Sequence, residues 1–174
     1  MIRQITYSEY QPKFDKVPIV IVLDNISTHL NVGSVFRIAD TFGVMEVILC
    51  EKSPKPPHKL ISRTARGGER HVPFRYFDKT LKAVKTLKAE GYCILALEIT
   101  NISTDVRQYD FTKGEKIAII VGSEETGISQ EVLSVVDACI HIKSSGFCLS
   151  MNVATALSVA VYEAASQLRE MRDK

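Results

Sequence analysis

Three short polar segments interrupt otherwise apolar stretches of this sequence, and their side chains could carry chemistry. They are residues 31–37 (NVGSVFR), 122–127 (GSEETG) and 146–152 (GFCLSMN). The segments supply a guanidinium, carboxylates, hydroxyls and amides, which are groups that can bind phosphate, orient a substrate and stabilise a developing negative charge. Taken alone, each segment is more typical of a helix cap, a surface charge or a tight turn, so the spacing does not by itself name a reaction.

Apolar runs precede the polar segments and predict the elements that position them. Residues 17–23 (VPIVIVL) and 117–121 (IAIIV) are continuous β-branched runs, typical of strands buried on both faces. Further strands are predicted at 45–50, 72–77, 92–99 and 138–142. Helical patterns alternate with the strands, which indicates an α/β fold with a mostly parallel sheet and helices on both faces. Because ligands bind at the carboxyl ends of parallel strands, we expect the three segments to meet at that edge.

Capping residues predict where the main helices begin and end. Asn31 is expected to cap a helix that Gly43 stops, and Asp78 is expected to cap a helix that Gly91 ends. Ser150 is expected to cap a last helix that runs to about residue 172.

The last predicted helix is apolar almost all round over residues 153–165 (VATALSVAVYEAA). A helix of this kind must be buried on most of its sides. At the edge of a sheet in so short a chain, a subunit interface is the natural way to bury it. We therefore expect a homodimer, with burial wholly inside one chain as the alternative.

Length and composition fit one globular domain over residues 1–174, with residues 1–16 as an N-terminal extension. The net charge is only +2, but the positive charge is uneven. Seven Lys and Arg residues with a single acid among them lie between positions 52 and 75: Lys52, Lys55, Lys59, Arg63, Arg66, Arg70 and Arg75. Such a stretch fits either a surface that binds a polyanion or a solvated loop.

Several classes of protein are disfavoured by what the sequence lacks. No apolar run is long enough to cross a membrane, and no apolar signal-peptide core opens the chain, so we expect a cytoplasmic protein. The four cysteines form no Cys-x-x-Cys pair and are interpreted as free thiols, and no metal site is expected. Dinucleotide-binding, P-loop and nucleophile-elbow motifs are also missing.

The order and spacing of the three polar segments resemble the three motifs of the SpoU/TrmH family of SPOUT RNA 2′-O-ribose methyltransferases. Residues 31–43 resemble the first motif, residues 121–129 the second and residues 146–156 the third, and the match runs from about residue 17 to the C-terminus. The chain departs from the family at Lys143-Ser144, where Pro-Met is common, and at Met151, where Leu is usual.

This resemblance implies a deep C-terminal trefoil knot, a homodimer, and methylation of an RNA ribose 2′-hydroxyl by S-adenosylmethionine. It implies that the catalytic residues are Arg37, Asn31, Glu124, Ser150 and Asn152. The cofactor would lie against Leu97, Gly122, Ile142 and Met151. Within the basic stretch, the first candidates for RNA contact are Arg63, Arg66 and Arg70.

The RNA partner is expected to be tRNA, because the arrangement is most similar to the enzymes that modify a D-loop guanosine. Enzymes that modify the anticodon wobble ribose come second. A ribosomal RNA methyltransferase and an RNA-binding protein of the same fold without catalysis remain alternatives. A generic nucleotide-binding enzyme, using the 122–127 loop for phosphate, is a further one.

Overall fold

The fold is built on a parallel sheet whose strands come from the apolar runs of the sequence. The computed structural model describes residues 2–6, 9–10, 15–147 and 150–173. Within them the strands are β1 (Val17–Asp24), β2 (Val44–Cys50), β3 (Phe74–Phe77), β4 (Cys93–Leu97), β5 (Thr104–Asp105), β6 (Ile117–Gly122) and β7 (Ala138–His141). Their order in the sheet is β3-β2-β1-β6-β4-β7-β5, and every pairing is parallel. The predicted α/β architecture with a parallel sheet is confirmed.

Helices cover both faces of this sheet. They are α1 (His29–Phe42), α2 (Lys59–Ala65), α3 (Gly68–His71), α4 (Thr80–Ala89), α5 (Gln130–Leu133) and α6 (Val153–Arg172), with a 3-10 turn at Phe111–Lys113. One core packs α1 and α6 against the sheet and contains Phe36, Leu157 and Val161. The other core packs α4 against the opposite face and contains Val84 and Leu87. Continuous apolar strands are required for this arrangement, because each strand must fill both cores.

The centre of the sheet shows that requirement most clearly. All six residues of β6 are buried, and β1 is buried except for partial exposure at Pro18. Along β1, Ile19 and Ile21 belong to the α1–α6 core, whereas Val20 and Val22 belong to the α4 core. Each strand ends on a polar residue or turn, so the apolar interior gives way to polar side chains along one edge.

Two of the three cap predictions at helix starts are wrong by two or three residues, and the third by one. Thr28 caps α1, because its Oγ1 accepts a hydrogen bond from the backbone N–H of Asn31. Asn152, rather than Ser150, caps α6. Lys79 occupies the N-cap position of α4 without a side-chain hydrogen bond, so Asp78 lies one residue outside. The two amides concerned, Asn31 and Asn152, both also bond to Glu124 at the edge of the sheet.

The helix stops are confirmed. Gly43 ends α1 in the left-handed conformation with φ 72°, and its backbone N–H bonds to carbonyls of the last turn. Gly91 follows α4 with φ 84°. Both positions suit glycine, because a Cβ is strained at positive φ.

The basic stretch contains two helices, α2 and α3, that the sequence patterns do not predict. Helix α2 packs closely against α1 at Gly33, where an added Cβ would overlap the Thr64 hydroxyl and the Ile61 carbonyl. The Thr64 hydroxyl also donates to the Leu30 carbonyl at 3.0 Å. This contact holds α2, with Arg63 in its last turn and Arg66 as its C-cap, against α1.

Among the described residues, no helix is long and apolar enough to cross a membrane. Cys50, Cys93 and Cys139 are free thiols, as predicted, and Cys148 lies outside the described residues. Burial raises the pKa of the Cys50 thiol to about 12. A buried thiol of this kind packs as a small apolar side chain and is a poor nucleophile.

Candidate functional site

The three polar segments meet at the carboxyl edge of the sheet through one hydrogen-bonded cluster, the Asn31–Glu124–Asn152 cluster. The Nδ2 atoms of Asn31 and Asn152 both donate to Oε1 of Glu124, at 2.9 Å and 3.0 Å. Asn152 Nδ2 also donates to Oδ1 of Asn31 at 3.2 Å. These side chains are far apart in sequence, so only the fold brings them together. The expected meeting point is therefore present in the structure.

Each member of the cluster is positioned by the element that carries it. Asn31 lies in the first turn of α1, just after β1, and is buried. Glu124 follows β6 in the turn between that strand and α5. Asn152 serves two purposes at once. Its Oδ1 caps α6 by accepting from the N–H groups of Ala154 and Thr155 at 3.1 Å and 3.2 Å, while its Nδ2 joins the cluster.

The turn that carries Glu124 is held in a tight conformation, which we call the 123–127 turn. Ser123 and Gly127 form an antiparallel bridge, and the Gly127 N–H donates to the Ser123 carbonyl at 2.8 Å. A Cβ at Gly122 would overlap the backbone of Gly127 and Ile128. Glycine at 122 is thus a condition for the turn to fold back on the end of β6.

A pocket of about 300 Å³ lies beside the turn, between the ends of β4, β6 and β7 and the start of α6. Its walls include all four residues proposed to hold a cofactor: Leu97, Gly122, Ile142 and Met151. Glu124 and Ser150 also line it. The lining is mainly apolar, with carboxylates from Glu98 and Glu124 at its polar side. Pockets of this size and character, from about 300 Å³ upward, hold small organic ligands. We call it the motif pocket.

A second, more open pocket of about 530 Å³ lies between α1, α2 and α6. It is lined by three guanidinium side chains, Arg37, Arg63 and Arg66, and by hydroxyl and amide groups that include Asn152. No acidic residue is among its described lining residues. Three cations without a carboxylate create a site that attracts phosphate. We call it the arginine pocket.

The remaining arginines of the basic stretch have other surroundings. Arg70 is exposed on α3 and does not line the arginine pocket, so its contact with RNA stays a prediction. Arg75 forms ion pairs with Glu46 and Glu90, each at 2.8 Å. These partners raise the pKa of the Arg75 guanidinium and hold it against the protein. The stretch therefore does not act as one surface.

The two pockets share a wall. Asn152 lines the arginine pocket, Glu124 lines the motif pocket, and the two are hydrogen-bonded to each other. The Asn152–Glu124 contact therefore lies between the two pockets. Adjacent sites of this kind allow a group to pass directly from one bound molecule to another, because positioning replaces a chance encounter.

Sequence reasoning missed Glu98 and His141, which also line the motif pocket. The Glu98 carboxylate accepts hydrogen bonds from the N–H groups of Ile99 and Ile128, at 3.1 Å and 3.2 Å, so it ties β4 to the chain just after the 123–127 turn. Glu98 directly follows β4, and His141 ends β7. The rule that polar residues after parallel strands face the site would have found both.

Among the described residues, no group of three or more His, Cys, Asp or Glu side chains could hold a metal ion.

Glu124 and Asn152 are exposed whereas Asn31 is buried, so replacing Glu124 with Ala should lower the free energy of unfolding by about 1 kcal/mol, mainly because the Asn31 amide loses its charged acceptor. Glu124→Gln keeps an acceptor oxygen and should lose roughly half as much. The neighbouring Glu125→Ala, which removes an exposed carboxylate outside the cluster, is the matched control and should change stability by less than about 0.5 kcal/mol. Urea unfolding monitored by circular dichroism measures all three, and equal effects at 124 and 125 would contradict the cluster.

Known proteins that are similar to this chain include RNA methyltransferases. The model of the SpoU rRNA Methylase family matches residues 18–162. A TrmH-family protein of Staphylococcus saprophyticus is 32% identical over 160 residues, covering 92% of this chain and 63% of that protein. The tRNA (guanosine(18)-2′-O)-methyltransferase of Thermus thermophilus is 28% identical over 149 residues, covering 86% of this chain and 75% of that enzyme. The crystal structure of an S-adenosylmethionine-bound rRNA methyltransferase from Sinorhizobium meliloti superposes with a TM-score of 0.81 at 25% identity, covering 91% of this chain and 61% of that one.

The chain thus spans just under two thirds of the length of the staphylococcal relative and of the Sinorhizobium structure. The family match is more extensive, since it runs from β1 into α6 and includes all three members of the Asn31–Glu124–Asn152 cluster. This protein belongs to the SpoU rRNA methylase family.

Proposed function

We propose that this protein transfers a methyl group from S-adenosylmethionine to the 2′-hydroxyl of a ribose in RNA. The observation that carries the proposal is the Asn31–Glu124–Asn152 cluster, which joins the motif pocket to the arginine pocket. One pocket suits a small amphipathic cofactor and the other suits a polyanion. The methyltransferase names of the Thermus and Sinorhizobium proteins support the same reaction.

The residues of the motif pocket fit S-adenosylmethionine. Leu97, Ile142 and Met151 offer apolar walls for an adenine ring, with the backbone at Gly122 beside them. The carboxylates of Glu98 and Glu124 favour the positive charges of the sulfonium and amino groups. The cofactor would supply an electrophilic methyl group. Lys143-Ser144, which replaces the common Pro-Met, belongs to the segment that leaves β7, and Ser144 lines the pocket.

Arg37 is proposed to hold a phosphate next to the target ribose and to stabilise the alkoxide that develops on its 2′-oxygen. A guanidinium keeps its proton in proteins, so electrostatic stabilisation is a less costly role for it than proton abstraction. A phosphate oxygen or a water molecule would accept the hydroxyl proton. Arg63 and Arg66 would bind neighbouring phosphates from the same pocket.

Asn31, Glu124 and Asn152 are proposed to fix the relative positions of the two bound molecules. The cluster ties the first helix, the 123–127 turn and the last helix together. Ser150 would help to shape the motif pocket from the segment just before α6. In-line displacement depends on alignment, so small shifts of this cluster would slow methyl transfer.

The substrate is proposed to be tRNA, with a D-loop guanosine as the first candidate. The name of the Thermus relative, which specifies guanosine 18 of tRNA, is the observation that favours it.

We also propose that the chain is one methyltransferase domain with a C-terminal trefoil knot. Strand β7 lies between β4 and β5 although it follows both in sequence. The link between β4 and β5, residues 98–103, therefore crosses from one side of β7 to the other near Ile140, close to the point from which the chain continues towards α6. Gln167 of α6 then bonds to the backbone at Tyr109 and Phe111, beyond that link. This order of crossings supports threading.

A homodimer is proposed through the exposed apolar surface of α6 and the start of α1. Leu30, Met151, Val159 and Tyr162 are all exposed there, and Tyr162 is 60% exposed. Tyr162 also contacts Phe42 of α1 edge-on at 5.9 Å between ring centroids. Several apolar side chains of α6 thus remain exposed when only one chain is considered. A partner subunit would cover the remainder beside the arginine pocket.

Arg37→Ala should reduce methyl transfer to a tRNA transcript roughly 100- to 1000-fold at saturating substrate, the cost of losing one preorganised charge donor. Arg37→Lys keeps the positive charge but not the planar guanidinium, so its rate of methyl transfer should lie between those of the wild type and Arg37→Ala. Arg63→Ala should mainly raise KM for RNA. Transfer of tritiated methyl groups from S-adenosylmethionine to the transcript measures these rates and KM values, and mapping of the 2′-O-methyl position identifies the modified nucleotide. A fully active Arg37→Ala variant with wild-type cofactor affinity would refute the role of Arg37, and methylation at the wobble ribose would move the substrate to the second candidate.

Light scattering of the wild-type protein should give a mass of two chains, and Val159→Glu should shift it towards one chain, because a charge would be buried in the proposed interface. Ile102→Glu, at a side chain that is 74% exposed near β5, is the control and should leave the mass unchanged. A monodisperse, active wild-type monomer would rule out the dimer.

A further inference from the structure

A third and larger concavity, of about 1030 Å³, opens at the same edge on the opposite face of the sheet. It lies between α4, α5 and the turns after β1, β2 and β6, and we call it the lysine groove. Lysines line it from two elements: Lys52 after β2, and Lys79, Lys82 and Lys85 at the start of and along α4. None of these lysines takes part in the site described above.

The lysines of the groove are weakly engaged by the protein. Lys79 and Lys82 make ion pairs of 3.5 Å, and their side chains are 72% and 67% exposed. Lys52 and Lys85 form no ion pair with any described residue. By contrast, Lys88, one turn further along α4, pairs with Asp137 at 2.7 Å. The groove therefore presents ammonium groups that remain available to a ligand.

The acidic residues of the groove are mostly occupied. Asp24 is buried, and its carboxylate accepts from the Thr80 hydroxyl and from the Ser129 N–H. The Glu51 carboxylate lies against the Thr80 N–H and Lys79. Only Glu131, on α5, is an exposed carboxylate in the lining. Towards solvent, the groove thus offers two lysines without an ion pair to a described residue and two weakly paired ones, against one exposed carboxylate in its lining.

The groove adjoins the proposed reaction site through the 123–127 turn. Gly127 lines both the lysine groove and the motif pocket, and Thr126 lines the groove beside it. The lysine groove therefore lies across this turn from the motif pocket, close enough for one RNA molecule to reach both the proposed reaction site and the groove. From Lys79, the N-cap of α4, to Lys85 the helix axis rises by roughly 9 Å, enough for contact with more than one phosphate.

We propose that the lysine groove is a second RNA-binding surface, which holds the phosphate backbone of the substrate away from the methylated ribose. The inference rests on the proposed function, because it assigns RNA as the polyanion. Backbone contacts of this kind position a substrate without reading its sequence, and they make binding depend on salt. The groove would therefore contribute to RNA affinity and not to cofactor binding or the chemical step.

The test compares Lys82→Gln/Lys85→Gln with Lys113→Gln/Lys116→Gln, a charge-matched pair next to the amino end of β6 at the opposite edge of the sheet. Glutamine has a helix propensity similar to that of lysine, so α4 should remain folded. Binding of an unmodified tRNA transcript is measured by fluorescence anisotropy at several salt concentrations. Cofactor affinity and the rate of methyl transfer at saturating RNA are measured in parallel, and thermal unfolding checks the fold of each variant.

The groove pair should weaken RNA binding roughly tenfold at moderate salt and reduce the slope of log affinity against log salt by about 2, one for each lost phosphate contact. The control pair should match the wild type in RNA affinity and in the salt slope. The wild type and both variants should bind the cofactor with the same affinity. Equal RNA binding by the two pairs would overturn the inference. If the groove pair unfolds, Lys85→Gln alone should lower the slope by about 1. If the wild type neither binds the cofactor nor transfers a methyl group, the proposed function is refuted. The RNA-binding measurements would still decide the role of the groove.

Discussion

A single carboxylate oxygen, Oε1 of Glu124, accepts hydrogen bonds from two amides that reach it from opposite ends of the chain. Asn31 comes from the first helix and Asn152 from the start of the last, so this one acceptor fixes how α1, the 123–127 turn and α6 meet. Bonds to a charged acceptor are among the stronger hydrogen bonds in proteins. Asn31 is buried and would lose that acceptor without gaining water, which makes the arrangement specific. Both pockets take their shape from this junction.

The cluster sits where it does because the interior of the sheet excludes it. Strands β1 and β6 are apolar on both faces and fill two cores, so polar side chains can appear only after the strands end. Parallel strands place those ends on one edge. The same edge therefore carries the motif pocket, the arginine pocket and the lysine groove, with the 123–127 turn between the first and the last. The buried apolar sheet thus supports a solvent-exposed edge at which the charged side chains are concentrated.

Much of this arrangement follows from sequence patterns that have a direct physical meaning. The β-branched runs predict the buried strands, Gly43 and Gly91 predict the helix ends, and the three motifs predict which side chains converge. The caps are less predictable, because two suitable capping residues lie close to each helix start. These are Thr28 and Asn31 for α1, and Ser150 and Asn152 for α6. Tertiary contacts decide between them. Asn152 caps α6 from the position that also lets its amide reach Glu124.

Helix α2 shows why the basic stretch is harder to interpret. Its seven residues have little helical signal of their own, and packing against Gly33 of α1 stabilises it. That packing brings Arg63 and Arg66 to the arginine pocket, whereas Arg75 lies in β3 and pairs with two glutamates. Positive charges that are close in sequence therefore serve different purposes. Charge counts alone cannot separate a phosphate contact from a structural ion pair.

The most direct test of the central claim, that the motif pocket holds S-adenosylmethionine beside the arginine pocket, is isothermal titration calorimetry. The purified wild-type protein is titrated with S-adenosylmethionine and then, in a separate experiment, with S-adenosylhomocysteine. The structure predicts saturable binding of each ligand with one molecule per subunit. Absence of binding by both ligands to folded protein would contradict the claim, and the Lys143-Ser144 segment beside the pocket would be the first place to look for the cause.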